Sequence, residues 1–213
     1  MRLRKHFLQS ETGRARLVNV MGLCRGAGAT HLAIMLGIYL AHGMHCKTAV
    51  IEYGQHGCFE KIQEEKKTKR VRLSVKAAQR HGFSYKGIDL YEGIFNAGFV
   101  QTLAENYDYI IVDMRAEDII KPGSQLIGMW LEGLVSIGVM SDVPWKLHEC
   151  MERLEKVNAV AEGKKIRLAS LTKTAKHADK DMDIIPYEPD PFNIKAQSLP
   201  WLKKIIQPQY YIK

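Results

Sequence analysis

Gly26, Gly28 and Thr30 stand close together and are residue types that hold a phosphate group largely through the main chain. Glycines let backbone N–H groups turn toward an anion, and a helix beginning at Thr30 adds free amides and the positive end of its dipole. A threonine hydroxyl there suits magnesium or a phosphate oxygen, and it also suits a plain helix cap. Glu52 and Asp113 are the acids placed to complete such a site, because each closes an apolar run, Thr48-Ala49-Val50-Ile51 and Tyr109-Ile110-Ile111-Val112. Acids at strand carboxyl ends face the crevice in which open α/β sheets bind ligands. The chemistry open to this set is the binding of phosphate groups and, in a fully equipped site, phosphoryl transfer.

These residues need a strand, a tight turn and a helix in that order. Leu17-Val18-Asn19-Val20-Met21 reads as a buried strand running into the turn at 22–31. Thr30 to His42 is apolar on nearly every side, as in a helix packed inside an α/β sandwich, and Gly43 marks its end. The runs before Glu52 and Asp113 are continuous rather than alternating, which predicts strands buried on both faces of a parallel sheet. Leu134 to Met140, Ile166 to Leu171 and Ile184-Ile185-Pro186 supply further strands, and an amphipathic helix follows Pro144 to about Ala161. The alternation predicts an α/β fold with a single doubly wound, mostly parallel sheet flanked by helices. Residues 1–16 read as a basic tail and 17–213 as one domain. From Lys66 to Gly93, basic residues and Gly82, Gly87 and Gly93 obscure any periodicity.

With 213 residues, 46% hydrophobic and 25% charged, the chain suits one globular domain with a full-sized core. Cys24, Cys46, Cys58 and Cys150 form no Cys-x-x-Cys pair and no secretory leader accompanies them, which argues against a disulfide framework or zinc ribbon and for the cytoplasm. No apolar run approaches the ~20 residues of a membrane span. A net charge of +8 favours acidic partners: nucleic acid, anionic lipid or a phosphorylated ligand. Basic residues concentrate in the first sixteen positions and between Lys61 and Arg80, where solvated surface explains either run taken alone.

Cys24-Arg25-Gly26-Ala27-Gly28-Ala29-Thr30-His31 resembles the deviant Walker A loop of the ParA/MinD family of P-loop NTPases, Lys-Gly-Gly-x-Gly-Lys-Thr-Thr. Gly26, Gly28 and Thr30 match it. Cys24 replaces the lysine that in the family reaches across a dimer, and Ala29 the lysine that holds the β and γ phosphates. Lys47 to Gly57 looks like the family's second motif, a strand ending in Asp-x-Asp, with Glu52 at the first acid and Gly54 at the second, which helps set up the hydrolytic water. Residues 107–113 look like its Walker B segment, with Asp113 at the acid of the magnesium shell. The likeness runs from about Arg16 to Ile206 and rests on the joint order of three motifs. An eroded loop is also found in the TadZ/CpaE group, which help place pilus assembly machinery; those proteins usually carry an N-terminal receiver-like domain, for which 16 residues leave no room.

The resemblance implies a site of Arg25, Gly26, Ala27, Gly28, Ala29, Thr30, His31, Glu52 and Asp113, with ATP or ADP as ligand and Thr30 and Asp113 on magnesium. It implies a degenerate nucleotide-binding protein acting as a positioning or assembly factor, with weak or no hydrolysis, because the lost lysines and acid should cost several kcal/mol of transition-state stabilisation. The alternative is an active ATPase switch in which Arg25 and other basic residues stand in for the lysines and the basic surface binds DNA non-specifically. Expected partners are a protein of an assembly or partition system, a second copy of the chain, DNA or an anionic membrane at the inner face. Cys24 beside Arg25 lacks a nearby resolving thiol, so no redox role is expected. His31 is expected to be packed or exposed rather than a metal ligand. Leu199 to Ile206, with Trp201, Lys203 and Lys204, fits either a closing helix or a short amphipathic membrane anchor.

Overall fold

The apolar runs become the central strands of a nine-stranded sheet in the computed structural model, which describes residues 15–54, 56–68, 71–72, 81–93, 97–161, 163–172 and 182–207. In chain order the elements are β1 (Arg16–Gly22), α1 (Ala29–Ile38), β2 (Thr48–Tyr53), α2 (Cys58–Glu65), β3 (Val71–Arg72), β4 (His81–Tyr85), β5 (Ile88–Gly93), α3 (Ala97–Ala104) and β6 (Tyr109–Arg115). They continue with α4 (Ala116–Ile120), α5 (Leu126–Glu132), β7 (Val135–Met140), α6 (Pro144–Val160), β8 (Arg167–Thr172), β9 (Met182–Pro186) and α7 (Leu199–Ile206). The sheet order is β3-β4-β5-β2-β6-β1-β7-β8-β9. From β5 through β9 every neighbouring pair is parallel, while β4 and β3 add an antiparallel edge.

β1 lies between β6 and β7, so the chain winds one way from β1 toward β2 and the other way from β6 to β7. The turn that leaves β1 therefore opens at the switch point, where ligands of such sheets sit. β2, β6 and β7 are buried almost throughout, consistent with their unbroken apolar runs, and Leu32 to Ile38 of α1 are all buried between sheet and neighbours. The last turn of α1, Tyr39–Gly43, widens to π spacing before Gly43. Asn19, fully buried in β1, donates to the carbonyls of Met129 and Trp130 at 3.1 and 3.2 Å and thereby ties the central strand to the end of α5.

Two segments that the sequence left open are resolved in the fold. The stretch from Lys66 to Gly93 contains the β4–β5 hairpin, closed by Lys86-Gly87 with φ of 45° and 76°, the backbone twist that two-residue hairpin turns favour. The C-terminal segment is a closing helix: Leu202, Ile205 and Ile206 are buried, and Arg167 donates to the carbonyls of Lys204 and Ile205 at the helix end. Leu199 and Trp201 stay partly exposed, Trp201 under the Lys204 ammonium, while the buried Leu202, Ile205 and Ile206 are not offered as a membrane-facing side. Arg16 belongs to β1 rather than to the tail. The basic tail before Ala15 and most of the basic run between Lys69 and Arg80 lie outside the described residues.

Candidate functional site

The chain leaves β1 at Gly22, and the Leu23 amide donates to the Val139 carbonyl of β7 at 3.0 Å, which pins the start of the turn to the sheet. Cys24 to Gly28 then loops back, with the Ala27 amide on the Cys24 carbonyl at 3.2 Å. Gly28 is the residue before α1 and has φ of 96°, a conformation that side-chain-bearing residues avoid. A Cβ there would also lie 3.2 Å from Leu171 Cδ1, so β8 closes over the loop at a point only glycine fits. The loop thus holds a strand–turn–helix shape whose first helical amides have no side-chain cap.

Thr30 and Asp113 meet across this turn. The Thr30 hydroxyl donates to Asp113 Oδ2 at 2.5 Å, at the carboxyl end of β6. Asp113 is almost fully buried, and burial pushes its carboxyl up to about 7, with the nearby Glu52 charge adding to the rise while the Thr30 bond and Arg115 oppose it. Glu52 is its register partner on β2 and equally buried, but its oxygens accept from the amides of Cys58 and Phe59 at 2.9 and 3.1 Å. Glu52 is therefore the cap of α2. The Cys58 thiol bridges the two acids' surroundings, within hydrogen-bond reach of both Glu52 and Thr30, and its pKa is raised by burial first and by the Glu52 charge next.

Cys24, Ala29 and Gly54 are each fixed by their surroundings. Cys24 is only 5% exposed and its thiol neighbours that of Cys150 on α6, so residue 24 is packed inside the domain. This also corrects the expectation that no second thiol lies near it. Both cysteines are free and buried, and burial pushes the Cys24 thiol up to about 12, which suppresses the reactive thiolate. Ala29 is buried in the first turn of α1. Gly54 has φ of 92°, and a Cβ there would stand 2.9 Å from the His56 ring, so an aspartate would be strained and would have to displace His56.

Of the remaining sequence candidates, Ala27 is buried in the loop and Gly26 and the Arg25 side chain are exposed. His31 stacks on Tyr187 after β9, with ring centroids 5.2 Å apart; burial lowers its pKa. Sequence reasoning missed α6 altogether as a part of the site. Lys146 Nζ donates to the Arg25 carbonyl at 2.9 Å, and Arg153 Nη1 donates to the Leu23 carbonyl at 3.1 Å. They stand seven residues apart, two helical turns, so one face of α6 grips the loop. That spacing is visible in the sequence, but nothing there says which surface the face covers. Trp145, beside Lys146, is 82% exposed. Among the described residues no group of three or more His, Cys, Asp or Glu side chains is arranged to hold a metal ion.

No protein-family model matches the sequence, and comparison with curated proteins finds no match either. Solved structures do match. A plasmid partition protein of Borrelia burgdorferi B31 bound to AMPPNP aligns with a TM-score of 0.60 at 14% identity, over 91% of this chain and 97% of its own. The MinD cell division protein of Aquifex aeolicus gives 0.60 at 15%, over 89% and 96%, and the MinC:MinD complex of the same organism 0.58 at 16%, over 91% and 87%. The fold is that of the ParA/MinD-type P-loop ATPases.

Proposed function

We propose that the chain is a nucleotide-binding protein of the positioning and partitioning type, a degenerate ParA/MinD-like member with weak or no ATP hydrolysis. One observation carries this reading: the Thr30–Asp113 pair stands at the mouth of a glycine turn, while Cys24 and Ala29 are buried. The turn, the helix start and a hydroxyl–carboxylate pair are the parts that bind phosphate. The displaced lysines and acid are the parts that speed its transfer.

The donor set fits ATP or ADP with magnesium. Thr30 and Asp113 offer only oxygen, which a hard cation takes, and with two protein ligands the ion would keep waters and phosphate oxygens in its shell. Bound magnesium would neutralise charge on the phosphate chain. The chain's own contribution is to hold that anion on the amides of Gly26 to Thr30, to hold the cation side with Asp113, and to shape the loop through Gly28 and Leu171. Glu52, the acid beside Asp113, is committed to the amides of α2 and is not free to orient an attacking water.

As an assembly factor of the TadZ/CpaE kind, the most specific form of this reading, the protein would pass on a nucleotide-dependent shape to a protein partner or a second copy of itself at the membrane's inner face or on DNA. No helix among the described residues is long and apolar enough to cross a membrane. A calorimetric titration with ATP and ADP, with and without magnesium, followed by a turnover assay, tests the reading. Micromolar or weaker binding with negligible turnover is expected. Rapid turnover would promote the ATPase switch in its place, and absence of any nucleotide binding would end both.

A further inference from the structure

A triphosphate held on backbone amides brings several negative charges into one small volume, and amide dipoles alone leave much of that charge uncompensated. The loop itself offers little help, since Ala29 is apolar, Cys24 is buried and the Arg25 side chain is exposed. Two cations nevertheless reach it from α6, and they are differently placed. Arg153 is neutralised, its guanidinium paired with Glu117 at 2.6 Å and with Glu149 at 2.7 Å. Lys146 has no carboxylate partner among the described residues; its contact is the Arg25 carbonyl. The ammonium also stands 3.5 Å from where a Cβ on Gly26 would be, so it lies directly on the glycine turn.

An ammonium has three donors, and one is used on the Arg25 carbonyl. We propose that Lys146 is the phosphate-binding cation of this loop, delivered from α6 within the same chain, and that its remaining donors take oxygens of the terminal phosphate of a bound triphosphate. This rests on the nucleotide reading above and goes beyond it by assigning the charge to a residue outside the loop. Arg153 is the positioning residue beside it: its bond to Leu23 and its two carboxylates fix the register of α6 against the turn. The uncompensated charge of Lys146 has no structural need for its place, because a leucine or methionine would cover the turn as well; a built anion site does need it.

The test compares wild type, Lys146→Met and Lys146→Arg by titration with a non-hydrolysable ATP analogue and with inorganic tripolyphosphate, each at two salt concentrations. Lys146 is half-exposed and outside the core, and thermal unfolding of each variant checks that the fold is kept. The expected result is a loss of about tenfold or more for Lys146→Met toward both probes, the size of one charge-assisted hydrogen bond, with weaker salt dependence and with affinity largely restored by Lys146→Arg. Equal affinities for wild type and Lys146→Met overturn the assignment and leave the nucleotide reading standing. Lysine-dependent binding of tripolyphosphate without binding of the ATP analogue supports the cation and overturns the nucleotide. Binding of neither probe by the wild type overturns both.

Discussion

Glu52 and Asp113 are register partners on neighbouring strands, yet one carboxylate is consumed by two backbone amides of α2 while the other meets the hydroxyl of Thr30. Two buried acids side by side are tolerable because their environments differ. Glu52 has strong donors for its charge, and Asp113 is driven toward its neutral form by burial and by the Glu52 charge.

Replacing Thr30 by Val should cost about 1–3 kcal/mol, the penalty for leaving a buried acceptor unpaired. The Thr30 bond favours the charged carboxylate, so the loss should be larger above pH 7 than at pH 5. Urea unfolding at the two pH values checks this, and a loss that is the same at both would contradict it.

Asp113 in the folded chain titrates near 7 against an ordinary value of 3.8, so the native state keeps a proton that the unfolded chain gives up. Stability from this group is complete below the unfolded value and falls as pH rises toward 7, with a limiting slope of about 1.4 kcal/mol per pH unit. Asp113→Asn should remove that slope. The stability difference between wild type and variant, followed across this range, is the measurement; a pH-independent difference sinks the assignment.

Glu52→Ala should destabilise by about 1–2 kcal/mol through loss of the α2 cap, and Glu52→Gln by less, since one oxygen remains for one amide. Both should lower the titration midpoint of Asp113, because a charge that raises it is gone. A carboxyl-carbon NMR titration reads the midpoint directly.

Restoring lysine as Ala29→Lys should tighten binding of a triphosphate by about tenfold or more while turnover stays close to background, because residue 24 still points inward and Gly54 still carries no acid. An increase in turnover that matches or exceeds the gain in affinity would show that the missing loop lysine alone had silenced the site.

Leu202→Ala should cost about 2–5 kcal/mol, the usual range for truncating a buried leucine, whereas Trp201→Ser should leave stability nearly unchanged. Neither should alter sedimentation with anionic liposomes. A Trp201-dependent loss of liposome binding would revive the anchor.

The sheet was legible because its central strands are buried on both faces, which leaves unbroken apolar runs such as 48–51 and 109–112. The edge was not. β4 pairs on one side with a two-residue strand, alternates exposed Ser84 with buried Phe83, and is preceded by basic residues that carry no period. The turn at Gly26 and Gly28 and the acids closing β2 and β6 could be read from type and position alone. What Glu52 does could not, since its partners lie on a helix start whose approach is a tertiary fact. The grip of α6 on the loop spans 121 residues for Lys146 and 130 for Arg153, and local patterns hold no trace of contacts at that range.

The three tryptophans sit in contrasting surroundings: Trp130 is fully buried, Trp201 is 38% exposed, and Trp145 is 82% exposed one residue before the lysine that rests on the loop. Indole emission shifts to longer wavelength with water contact, so Trp145 supplies the red edge of the spectrum. The protein thus carries its own optical reporter beside the glycine turn, and the wavelength at which a ligand perturbs fluorescence tells, without any label, whether it has docked against α6 or elsewhere.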